Sequence, residues 1–202
     1  VTLNNLGETE EARRMHEDTL RQRQHILGDN HPSTLQSAHS FAVTLNNLGE
    51  TEEARRMHED TLRQRQHILG DNHPDALESA RSLAIALHNL DETEEARRVH
   101  EDTLRQRQHI LGDHHPDTLQ SAHDFAITLH KLRRYPEAAQ LLEETRNRLR
   151  RTLGDDHTRT VAVTESLAHT WTAMGKRFAA QRLLTGQRKQ AKRRLDRKKK
   201  RR

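Results

Sequence analysis

Histidine is the residue type in this 202-residue chain whose number and spacing could do chemistry: there are 16. The dodecamer RQRQHILGDNHP runs from Arg21 to Pro32, returns unchanged from Arg63 to Pro74, and comes back from Arg105 to Pro116 as RQRQHILGDHHP. Imidazoles grouped in this way could ligate a metal, act as general bases, or punctuate a repeated fold. A second motif, HEDTL at His16, His58 and His100, begins like the H-E-x-x-H zinc site, in which two imidazoles one helical turn apart grip the ion. The second ligand would have to be Leu20, Leu62 or Leu104, which offer no lone pair, so the metal-binding pair is missing. His114 beside His115 is the one linker with adjacent imidazoles, since Asn30 and Asn72 take the first place in the other copies.

Other chemistry is thinner still. None of the 8 glycines falls in G-x-x-x-x-G-K-[ST] or G-x-G-x-x-G, so no phosphate cradle is built. No cysteine is present as nucleophile, thiolate ligand or disulfide partner. Serine, histidine and aspartate abound, but a repeat period explains their placement better than a catalytic triad does. The expectation is a chain with no catalytic residue, no cofactor site and no metal site.

The elements that position these residues follow from that period. Val1 to Ala42, Val43 to Ala84, Ile85 to Ala126 and Ile127 to Ala168 align without a gap, and a partial unit begins at His169, giving an array over 1–187. Each unit reads as two helices. In PDALESARSLAIALHNL, the first or A helix, Leu77, Ala80, Leu83, Ala84, Leu87 and Leu90 fall at three- and four-residue spacings and make one apolar stripe. Asp91 then breaks the pattern where Gly7, Gly49 and Gly175 stand in other copies, as a helix C-terminus prefers. The second or B helix, ETEEARRVHEDTLRQRQHIL, takes Thr93 as its expected N-cap and Ala96, Val99, Thr103, Leu104, Ile110 and Leu111 as its stripe. Glu94 with Arg98 and Glu101 with Arg105 are i,i+4 pairs on the opposite, solvated face.

Within the dodecamer, His25, His67 and His109 come one turn before the end of helix B, where positive charge favours the helix dipole. His31, His73 and His115 stand just before proline, so capping and turn packing is the reading for them. So many imidazoles predict a loss of stability as they protonate near pH 6, which a flat melting temperature from about pH 8 to about pH 5.5 would contradict.

Composition sets the scale of the core. Hydrophobic residues are 31% of the chain, aromatics 2% and charged residues 32%, too little bulky apolar material for one thick core. Alanine and leucine stripes cannot stabilise a lone hairpin, whereas stacking unit on unit covers both sides of each. No apolar run approaches a membrane span, and VTLNNLGETE lacks the features of a signal peptide, so no membrane partner is expected and the expected location is cytoplasmic. VTLNNLGETE also reads as the tail of a helix cut from a longer array.

The basicity is a tail. RKQAKRRLDRKKKRR, residues 188–202, sets eleven Lys or Arg against one acid, while the rest of the chain is net acidic. Lys192, Arg193, Arg194, Arg197, Lys198, Lys199 and Lys200 are candidate contacts for an anion or nucleic acid, nonspecific and weakened by salt. No aromatic is interleaved, so base stacking is not supported. A solvated end and an import-like signal are the other readings of the same run.

These residues resemble the tetratricopeptide-repeat family, in the long-repeat variety of kinesin light chains and of arrays on bacterial and fungal signal-transduction NTPases. The resemblance rests on Leu83 and Ala84, Phe41 and Ala42, and Phe125 and Ala126 in helix A. In helix B it rests on the small residues Ala96 and Thr103, Ala54 and Thr61, and Ala138 and Thr145, and between units on the LGDNHP and LGDHHP linkers. The chain departs from the pattern where the family's helix-A aromatic is Leu45, Leu87 and Leu129, returning as Trp171. It departs again where the helix-B tyrosine is Thr51 and Thr93, returning as Tyr135, and where LGDDHT lacks proline.

The resemblance implies an all-α, right-handed superhelical solenoid of antiparallel helix pairs whose concave face is lined by helix A. It assigns to that face Gln36, His39, Val43, Asn46 and Asn47, then Glu78, Arg81, Ile85, His88 and Asn89, then Gln120, His123, Ile127, His130 and Lys131, all turned away from the A/B contact. The implied function is a noncatalytic scaffold for a protein or peptide ligand, as the sensor or interaction segment of a larger signalling protein. A nucleic-acid-associated protein acting through the basic tail, and an array that self-associates through its ends, are the alternatives.

Overall fold

The computed structural model describes residues 3–187, with side chains from Glu10 onward. The helices are α1 (Leu3–Leu27), α2 (Pro32–Leu48), α3 (Thr51–Leu69), α4 (Pro74–Asn89), α5 (Thr93–Leu111), α6 (Pro116–Lys131), α7 (Tyr135–Thr152) and α8 (Thr158–Ala173). Residues 177–187 are helical as well, and no strand occurs among the described residues. The chain divides into two compact units, one through Gln106 and one from Arg107, with the division inside α5.

In the first unit α2 packs against both α1 and α3, and α3 against α4. Its core is thin: Leu20, Phe41, Leu45 and Ala54 form one cluster, and Leu83, Leu87 and Ala96 another. Ala42, Ala54, Ala84 and Ala96 are fully buried and Thr61 and Thr103 nearly so. The small residues stand where the helices approach, and a larger side chain there would push them apart. In the second unit α7 packs on α6 and α8 around Leu119, Ala126, Leu142, Leu149, Val163 and Leu167. Trp171 and Leu183 close over that cluster.

The turn from helix A to helix B is built the same way four times. Glu50, Glu92, Arg134 and Lys176 donate their N–H groups back to the carbonyls of Leu45, Leu87, Leu129 and Trp171, at 2.8–3.0 Å. This C-terminal motif needs a left-handed residue just before the donor. Gly49 and Gly175 supply it at φ 88 and 80, while Asp91 and Arg133 are driven to φ 65 and 60 despite their side chains.

Four expectations change in detail. α1 runs through Gly7 without a turn. Thr93 is the first residue of α5 rather than its cap, and its hydroxyl donates to the Asp91 carbonyl at 3.3 Å. Ile110, expected in the apolar stripe of helix B, is 42% exposed, whereas Leu104 is buried. The surface pairs also shift: Arg97 lies one turn from two acids and binds Glu94 at 2.9 Å and Glu101 at 2.7 Å, while Arg105 pairs with Asp102.

Candidate interaction face and the joints behind it

The dodecamer is a joint. Its second arginine reaches from helix B to the next helix A: Arg23 Nη1 donates to the Ser33 carbonyl at 2.9 Å and to Ser37 Oγ at 2.8 Å. Arg65 repeats this with Asp75 and Ser79, and Arg107 with Asp117 and Ser121. Gly28, Gly70, Gly112 and Gly154 leave the helix at φ 82–92. His31, His73, His115 and His157 then cap the next helix, each Nδ1 accepting the N–H two residues on at 3.1–3.2 Å. The expected capping role therefore holds, with a neutral Nδ1 as the acceptor. His114 is exposed beside it, and among the described residues no three or more histidine or acidic side chains gather to hold a metal ion.

The structure engages several helix-A residues that were expected to face a ligand. Gln36 Oε1 accepts from Arg65 Nη2 at 2.9 Å, and Asn89 Nδ2 donates to Asn46 Oδ1 at 3.1 Å, joining α4 to α2. Glu78 pairs with Arg81 at 3.5 Å. In the second unit Gln120 donates to Asp124 at 3.0 Å, His123 Nε2 lies 2.8 Å from Ser166 Oγ, and His130 Nδ1 lies 3.0 Å from Thr170 Oγ1. Asn47, Asn89 and Lys131 are exposed. Val43 and Ile127, 42 residues apart twice over, are 37% and 38% exposed, with Ile85 and His88 partly covered between them in sequence.

Two of these residues do touch helix B. His39 meets His58 edge-on at 5.6 Å between ring centroids, and His130 meets Tyr135 at 5.1 Å and stacks on His169 at 4.7 Å. An imidazole is long enough to lean back over the neighbouring helix, which the helical spacing alone does not register.

The buried side of the joints holds what the sequence reading missed. His58 and His100 are 2% exposed, and Arg65 and Arg107 are 2% and 3%. Burial pushes His58 down to about 4, with His39 and Arg65 adding to it, and His100 down to about 3, with His88 and Arg81 adding. Burial likewise takes His123 to about 4 and lowers His39 and His130. The available signal was the fourth copy, where Arg107 is matched by Leu149, Ser121 by Val163 and His100 by Leu142, all buried to 1–2%. A polar pair that gives way to an apolar pair at both ends marks an inward position.

A cavity of about 430 Å³ near these joints is lined by the apolar Leu20, Leu35, Ala38 and Met57 and by the charged Asp29, Glu53, Arg56 and Asp60. It contains none of the expected ligand-facing residues. A smaller one of about 200 Å³, between α1 and α2, includes Gln36 with His16, Arg23 and Ser40. The basic candidates Lys192, Arg193, Arg194, Arg197, Lys198, Lys199 and Lys200 lie outside the described residues. Among those described, no helix is long and apolar enough to cross a membrane.

Repeated helix hairpins, small residues at each A/B contact and a capped linker between hairpins define a helical-repeat solenoid. Residues 1–66, 41–108 and 83–151 match the tetratricopeptide repeat, and the chain belongs to that family. Two crystal structures of kinesin light chain nearly identical TPR-like repeats from Podosopora anserina are similar to it. They share 29% and 30% identity with TM-scores of 0.81 and 0.78, over 95% and 93% of this chain and 91% and 90% of theirs. BtubC (BKLC) from P. vanneervenii shares the fold at 14% identity and TM-score 0.72, over 90% of this chain and 74% of that one. No curated protein matches. Tetratricopeptide repeats generally mediate protein–protein interaction, and such arrays are typically noncatalytic scaffolds.

Proposed function

We propose that this chain is a noncatalytic scaffold that takes an extended peptide or protein on its helix-A face, as the interaction segment of a signalling protein. The supporting observation is the lateral register of A helices within each unit. Asn46 bonds Asn89 in the first unit and His123 bonds Ser166 in the second, each pair 43 residues apart, so each unit carries polar groups on its own helix-A surface, with Val43 exposed in the first and Ile127 in the second. Amides can hydrogen-bond a strand-like backbone while Val43 and Ile85 of the first unit contact its side chains, and Ile127 offers the same kind of contact on the second.

Selection of peptides from a displayed random library on the intact chain tests this. Val43→Lys and Ile85→Lys should each weaken a selected peptide at least about tenfold, or about 1.4 kcal/mol. Ile68→Lys, on helix B and 42% exposed, should leave it unchanged. Loss with Ile68→Lys alone, or no enriched peptide, would refute the assignment.

A further inference from the structure

The imidazole in the middle of helix B stands in the same HEDTL sequence in α1 and α3, yet its surroundings differ. In α1, His16 Nδ1 lies 2.8 Å from Thr44 Oγ1. The residue 42 further on from Thr44 is Ala86, fully buried and without a hydroxyl, and His58 Nδ1 is buried with no hydrogen-bond partner. The ring beside it is His39 of α2, whose Nδ1 is likewise buried and unpartnered. The charges acting on the pair are Arg65 from α3 and Asp75, Glu78 and Arg81 from α4. The acids act on His39 and not on His58, and no charge from α1 is among them.

We propose that His39 and His58 form an acid-operated latch on the α2–α3 hairpin, closed while both rings are neutral and forced open when His58 is protonated. A protonated ring donates from both nitrogens, and the Nδ1 of His58, buried at 2% residue exposure, has no protein acceptor and no carboxylate acting on it to take that bond. Arg65 and a charged His39 would add repulsion from two sides. Burial already holds His58 near 4, well below the ordinary range of an imidazole. The fourth copy of the position is Leu142, 1% exposed, so an apolar side chain fits the same place in this fold and His58→Leu is a fair probe.

The latch needs no ligand. Release of a peptide from the α2 surface on acidification would follow from it, and that consequence rests on the helix-A reading above. Two measurements on the intact chain test the latch itself. Ring signals in carbon–proton correlation spectra, with His58 assigned from the His58→Leu spectrum, should show His58 still neutral at pH 5. Urea unfolding between pH 7.5 and 5 should show the folded-to-unfolded ratio of the natural chain falling below pH 6.5 by up to about tenfold more per pH unit than that of His58→Leu. Parallel pH profiles, or His58 titrating at 6.5 or above in the folded chain, would overturn the proposal. Should His58→Leu fail to fold, His58→Gln supplies the assignment and the ring titration of the natural chain decides. Peptide selection repeated at pH 7.5 separates a failed latch from a failed binding face.

Discussion

At the scale of single residues, the arginine of the joint is worth more than its place in a charged run suggests. Arg65 is buried because its planar fork satisfies the Asp75 carbonyl, Ser79 Oγ and Gln36 Oε1 together. Arg65→Leu should cost about 2 kcal/mol, since buried acceptors lose their donor. Adding Ser79→Val should recover most of it, as Leu149 and Val163 coexist in the second unit. Urea midpoints of the two single variants and the double variant give the coupling, and strict additivity would count against a strut. The capping imidazole has its own test: His73→Ala removes the acceptor for the Asp75 N–H and should cost about 1 kcal/mol.

At the scale of elements, the A-to-B turn predicts a gain rather than a loss. Arg133 holds φ 60, a region that L side chains enter at a cost of about 1–2 kcal/mol, and its counterparts Gly49 and Gly175 adopt it freely. Arg133→Gly should therefore raise the melting temperature by about 2–4 °C, and a fall would show that the arginine contributes a contact outweighing its strain. The helices and both kinds of turn were legible because each is written repeatedly: an apolar stripe at helical spacing, a glycine at one end, histidine and proline at the next. The inward or outward sense of HEDTL and RQRQ was not legible. A helix that packs on two neighbours has two covered faces, and an arginine or histidine turned toward the second one spells the same as one in solvent.

At the scale of the whole molecule, the buried imidazoles make stability a function of acidity. His58, His123 and His100 are held near 4, 4 and 3 when folded, below the value of about 6.5 they regain on unfolding. The unfolded chain then binds more protons, so their stabilisation is intact above about pH 6.5 and declines as pH falls toward 4, by up to about 1.4 kcal/mol per pH unit for each. Thermal melts should be flat from pH 8 to about pH 6.5 and drop below it. An unchanged melting temperature at pH 5 would refute this. The arginine strut has a further bearing, on how such an array can be cut and rejoined. Arg107 and Ser121, like Leu149 and Val163, sit on opposite sides of a linker. A crossover within the linker would strand an arginine against valine or a leucine against serine. A crossover at Gly49, Asp91 or Arg133 keeps every such pair whole. The portable part of this protein is therefore a helix B with the helix A that follows it, although each hairpin in the fold is drawn the other way round.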